Sequence, residues 1–193
     1  FLVNGAPIPV VGIAEDAFYG CDDVTSVILS DGLTTIENSA FESMNCLKEI
    51  VIPDSVTHIG KCAFSDCENL QRVVLPSRLQ VISEDLFESC SSLTEVNIPA
   101  SVRVLQSACF AACVSLKTIV LPEGLHTIED RVFELCESLE NINLPSTLKN
   151  INSFAFYSCL NLKQIVLPEG LEYVPEDCFA MCQRLEDVVI PSS

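Results

Sequence analysis

The sequence predicts an α/β solenoid of eight 23-residue repeats, each a strand, a turn, a second extended piece and a short helical or 3₁₀ turn. Three observations predict it. Phe recurs at Phe18, Phe41, Phe64, Phe87, Phe110, Phe133, Phe156 and Phe179, always 23 residues apart. A Cys or Met follows three residues later, from Cys21 and Met44 to Cys182, and Val or Leu follows at six, from Val24 to Leu185. Further on, apolar residues stand at nine and eleven with Pro after them, as in Ile50, Ile52 and Pro53; only the first copy replaces that Pro, with Ser30.

The spacing sets the local structure. Apolar positions two apart lie on one face of an extended strand, so Glu49-Ile50-Val51-Ile52 is a strand with Ile50 and Ile52 inward. Pro53 and its equivalents cannot donate a ladder hydrogen bond and mark the turn that ends it, written Pro-Glu-Gly twice. Val56 and Leu125 at fifteen, with Ile59, Leu105 and Val174 at eighteen, supply the second extended piece. Ala63, Phe64 and Cys67, spaced one and then three apart, suit a single helical or 3₁₀ turn with its apolar side inward. One unit cannot bury enough surface alone, whereas eight stacked units bury a continuous column of Leu, Ile, Phe and Cys. At a strand spacing of about 4.8 Å the column is on the order of 35 Å long. No linker or second domain interrupts residues 1–193, which read as one solenoid domain.

Composition narrows the function classes. With 49% hydrophobic and 19% charged residues the chain can build a core, and no apolar run is long enough to span a membrane as a helix. A formal charge of −17 repels nucleic-acid phosphates and anionic lipid. The acidic residues form no calcium loop; pairs such as Glu129-Asp130 and Glu176-Asp177 recur as solvated turns. Phosphate loops, His-Glu-x-x-His runs and nucleophile elbows are missing from the sequence, which points away from an enzyme and from any cofactor. Phe1 to Val11 lack the basic start and the small-residue cleavage site of a secretory signal, so any such peptide has been removed or never existed. The last repeat stops at Ile190-Pro191-Ser192-Ser193 without a polar cap, and two expectations stand for that end, continuation in a longer surface protein or cover by another chain.

The run from Leu47 to Cys67, LKEIVIPDSVTHIGKCAFSDC, resembles the BspA-like, or Treponema-type, leucine-rich repeat, and the likeness spans nearly the whole chain. The resemblance implies a right-handed leucine-rich repeat horseshoe with a parallel sheet on its concave side. It also implies a bacterial cell-surface or secreted setting in which such arrays bind host or matrix proteins. Ligands differ widely across such a scaffold, so only scaffold positions carry over.

Eleven Cys include the pairs Cys109/Cys113 and Cys178/Cys182, three repeats and roughly 14 Å apart, too far to share one ion; the two His, His58 and His126, are equally separated. Neighbouring column cysteines fall within Cα range of a disulfide, but parallel side chains keep their Cβ atoms too far apart, which favours buried free thiols.

A ligand is expected on the concave strand face. Its outward residues are Ile28, Val51, Val74, Asn97, Val120, Asn143, Val166 and Val189, flanked two residues earlier by Ser26, Glu49, Arg72, Glu95, Thr118, Asn141, Gln164 and Asp187. Two readings of this ribbon stand side by side: a protein-binding patch, or β-branched residues kept for sheet propensity alone. At the level of the molecule, a monomeric interaction or adhesion module with end-to-end contacts open to it stands beside a passive spacer array within a larger surface protein.

Overall fold

The computed structural model describes residues 10–191 in full and, as backbone, the antiparallel pair Leu2–Val3 and Ala6–Pro7. The expectations about a leader-free start and an open last repeat fall largely outside these residues. From residue 12 onward the chain is a parallel β-solenoid of about eight turns.

Each repeat contributes to three stacked faces. The first carries the three-residue strands, in register from Glu49–Val51 through Arg72–Val74 to Glu95–Asn97, from Thr118–Val120 to Asn141–Asn143, and from Gln164–Val166 to Asp187–Val189. Pro53 and its equivalents then open a turn whose carbonyl accepts the N–H three residues on, as Val56 donates to Pro53. The second face carries two-residue strands, Gly12–Ile13, Thr35–Ile36 and His58–Ile59 in one sheet and Val81–Ile82 to Asn150–Ile151 in another.

The third face corrects the sequence-based expectation of a helical or 3₁₀ turn, since the described residues contain no helix. The residues two before and two after each Phe take positive φ, near 50–62°, at fifteen non-glycine positions from Asp16 to Met181. A helix needs every residue right-handed; left-handed residues here turn alternate N–H groups along the solenoid axis. Ser39, Phe41 and Ser43 therefore donate to the Lys61, Ala63 and Ser65 carbonyls of the next rung, and the same three bonds recur at every interval up to Ser158 to Ala180. The intervening N–H groups close i to i+3 turns such as Glu42 to Ser39. Apolar spacing reports which residues point inward but not the sign of φ, and a helical turn and this double turn bury the same side chains.

Those side chains form the core. Phe41 to Phe156, Leu47 to Leu162, Ile50 and Ile59 are buried. The eight Phe rings stack face to face along the axis, with centroids 5.2–5.8 Å apart and planes within 3–21°. Each interior ring is covered on both faces by its neighbours, so truncating one would open a void shared by three rungs.

Candidate interaction face

On the first face, strand alternation sends the middle residue inward and its two neighbours out, except in the last strand, where Val188 is itself exposed. Val51, Val120, Val166 and Val189 are exposed, Val120 by 82%, and Asn143 likewise faces outward. The flanking row of Glu49, Arg72, Glu95, Thr118, Asn141, Gln164 and Asp187 is exposed throughout, with Arg72 and Glu95 paired across adjacent strands at 3.4 Å. Four predicted members differ. Ile28 is 92% exposed, but it and Ser26 lie outside any strand, so the first repeat does not extend the sheet. Val74 is half-buried. Asn97 uses its Oδ1 to accept the Leu75 N–H at 3.0 Å, a bond that the Val74 backbone carbonyl makes to Ile52 one rung earlier. Part of its polarity is thus committed to the scaffold.

The strand ladder is interrupted between Glu95–Asn97 and Thr118–Val120 and again between Asn141–Asn143 and Gln164–Val166. Over the first interruption lies a recess of about 460 Å³ with Arg72, Val74, Glu95, Asn97, Ile98 and Val120 on its walls. This combination of an apolar floor and a charged rim was not foreseen, because the pairing of successive strands cannot be read from residue spacing.

The second face opens twice as well. Between His58–Ile59 and Val81–Ile82 the Ser83 hydroxyl takes over the Ile59 carbonyl. After Asn150–Ile151 no bond among the described residues replaces the ladder. The residues equivalent to Pro175, such as Gly60, Gln106, Glu129 and Asn152, donate their N–H to the carbonyl of the previous rung, and proline has none to give. Residues Glu172 to Val174 stay outside the sheet and Tyr173 is 73% exposed. The opening is a recess of about 530 Å³. Pro175 was the legible signal for it, a proline at a position that no other repeat gives to proline.

The cysteines are a chemical feature of the interior. All eleven are unpaired, and the column thiols have a recurring partner: Cys67, Cys90, Cys113, Cys136, Cys159 and Cys182 each donate to the carbonyl of the Phe 26 residues earlier, at 3.1–3.2 Å. The Phe87, Phe110, Phe133 and Phe156 carbonyls also accept a backbone turn bond, from Cys90, Cys113, Cys136 and Cys159, so there the thiol fills the second lone pair. Cys is therefore more than a small hydrophobe here, a role that counting residues did not reveal. Burial pushes Cys67, Cys136 and Cys178 up to about 12 and raises Cys90, Cys109, Cys113 and Cys159 well above the ordinary thiol range. Metal ligation and nucleophilic chemistry need thiolate, and the core holds these groups protonated.

A family model described as the BspA type leucine-rich repeat region, in six copies, matches residues 6–117 and 105–193. The chain belongs to the BspA-type leucine-rich repeat family. The solved structures it resembles include a leucine-rich repeat protein of Treponema pallidum, 33% identical with a TM-score of 0.71, covering 73% of this chain and 68% of that one. A leucine-rich repeat protein of Bacteroides ovatus is 32% identical with a TM-score of 0.75, covering 95% of this chain and 53% of its own. A leucine-rich cell surface protein of Faecalibacterium prausnitzii is 28% identical with a TM-score of 0.66, covering 97% of this chain and 59% of its own. The BspA-type chain thus spans between about half and two thirds of the length of these relatives. No curated protein is a significant match. Leucine-rich repeat proteins typically serve as protein-interaction modules and are generally not catalysts. No helix among the described residues is long and apolar enough to cross a membrane.

Proposed function

We propose that residues 1–193 act as one non-catalytic protein-binding domain of a cell-surface or secreted protein, with the first strand face as the contact surface. The observation that carries this reading is the row of outward β-branched side chains with a recess between Val74, Ile98 and Val120 and a charged border at Arg72 and Glu95. An apolar anchor seated in such a recess and ringed by polar contacts is the arrangement in which interface energy concentrates. Exposed contiguous apolar surface costs solubility, and a net charge of −17 offsets that cost elsewhere on the molecule. The surface setting is supported by the Faecalibacterium relative, which is described as a cell surface protein. An adhesive role toward host or matrix proteins is the finer form of the proposal.

The test is binding to a panel of purified extracellular-matrix and serum proteins by surface plasmon resonance, with Val51→Asp and Val120→Asp as variants. Both side chains are exposed, so thermal stability should stay close to that of the parent. Val120→Asp charges the recess and Val51→Asp the strand row beside it, and the former is expected to weaken capture by about tenfold or more. Unchanged capture by folded variants would reject this face. Absence of any partner across the panel would favour a passive spacer array.

A further inference from the structure

We propose that the opening on the second face at the seventh rung is a binding site for a neutral saccharide. It is separate from the strand face and does not depend on the function proposed for that face. The site exists because Pro175 cannot donate to the previous rung, and Lys149 and Ile151 are left with carbonyls that accept no hydrogen bond from the described residues of the next rung. In the preceding rungs these acceptors are taken: His126 donates to Arg103, Glu129 to Leu105 and Asn152 to Ile128.

The walls of the recess select the ligand. Tyr173, a residue that is 73% exposed, lines the recess with an aromatic side chain. Asn150, Asn152 and Ser153 can each donate and accept, Asp130 accepts, and the Lys149 ammonium donates. The Asn152 amide is already oriented by a bond from Nδ2 to Asp130 Oδ2 at 3.4 Å, which leaves its Oδ1 free to accept. Other ligand classes fit poorly. An anion would meet Asp130 and Glu172 against a single lysine. A purely apolar molecule would strip water from these polar groups without replacing its bonds. An inserted peptide strand needs two strand spacings, about 9.6 Å, between rungs. The rungs are held together beside the opening, with Phe156 stacked on Phe179 at 5.2 Å and Phe156 donating to the Cys178 carbonyl. A pyranose ring matches what remains: an apolar C–H face for the tyrosine, and uncharged hydroxyls that both donate and accept for the amides, the hydroxyl and the free backbone carbonyls.

The experiment uses the whole chain, isotope-labelled, titrated by NMR with maltotriose, cellotriose and chitotriose to about 10 mM, where a millimolar site is close to saturated. At least one trisaccharide should shift the amides of Asn150 to Ser153 and Glu172 to Val174. Tyr173→Ala should weaken that binding by about tenfold with little change in melting temperature, because the residue is exposed. Pro175→Gln, which restores the donor that Gln106 supplies in its own rung, should close the ladder, abolish binding and raise stability. Silence toward all three sugars overturns the proposal, as does binding that survives both variants. Shifts produced by inorganic phosphate and not by the sugars would replace it with an anion site.

Discussion

Raising the pH should unfold this protein abruptly, because of its buried thiols. Cys67, Cys90, Cys109, Cys113, Cys136, Cys159 and Cys178 are buried in the core, and burial raises all of them, three to about 12. In the unfolded chain the same thiols ionise in the ordinary range, near 8.5. Above that value the unfolded state has lost protons that the folded state keeps, so the stabilisation is whole below about pH 8.5 and drains away as pH climbs toward 12. Each thiol contributes a loss of about 1.4 kcal/mol by one unit above 8.5. Seven together remove about 10 kcal/mol by roughly pH 9.5, as much as the whole stability of an ordinary domain. Urea unfolding followed by circular dichroism from pH 7 to 10.5 measures the slope directly. A triple variant, Cys90→Ala, Cys113→Ala and Cys136→Ala, should be less stable at neutral pH yet show a slope shallower by about three protons. Thiol titration in denaturant without reductant should find all eleven sulfhydryls, while the native protein exposes Cys46 first. A flat profile between pH 8 and 10.5, an unaltered slope in the triple variant, or several missing thiols would refute the reasoning.

Two substitutions test the backbone and the acidic turns. Gly60→Ala places a Cβ 2.5 Å from the Asn38 N and 2.6 Å from the Glu37 carbonyl carbon, backbone that cannot step aside, and should cost about 1–3 kcal/mol in chemical denaturation. The reason is the close approach of rungs, since Gly60 has no positive φ. At Asp85, burial and then the neighbouring Glu84 raise the carboxyl, so charging it at neutral pH opposes folding. Asp85→Asn keeps a residue type that accepts the left-handed φ of 54° and should stabilise by no more than a few tenths of a kcal/mol at pH 7. The gain should vanish near pH 3, where the aspartate is protonated in both states.

The periodic part of this molecule was open to reading. Phe, Leu and Ile recur because they are buried, and burial is what a repeated apolar letter reports; the core and the strands at Glu49–Val51 and its equivalents follow from it. Three things lay beyond that signal. The residues with positive φ range from Asp and Ser to Leu135, Phe154 and Met181, so no residue type announces the double turn. The thiol bonds join residues 26 apart and need coordinates to be seen. The candidate faces are only partly legible: the outward alternation of Val51 and Val120 follows from strand geometry, but the recess beside Val120 depends on a ladder that fails to close. Pro175 is the exception, because a missing donor can be inferred from the letter alone.

Both strand faces are interrupted, whereas the three bonds per interval on the turn face run unbroken from Asp16 to Ala180. Each of these bonds joins residues 22 apart, as Phe41 to Ala63 or Ser43 to Ser65. Excising or duplicating one whole 23-residue unit would reconnect equivalent donors to equivalent acceptors, while losing a single residue would misalign every rung beyond it. Such a backbone lets a lineage change the length of the array by recombination between copies while its outward positions diverge freely. The seam of left-handed residues thus acts as the ruler that keeps every copy at 23.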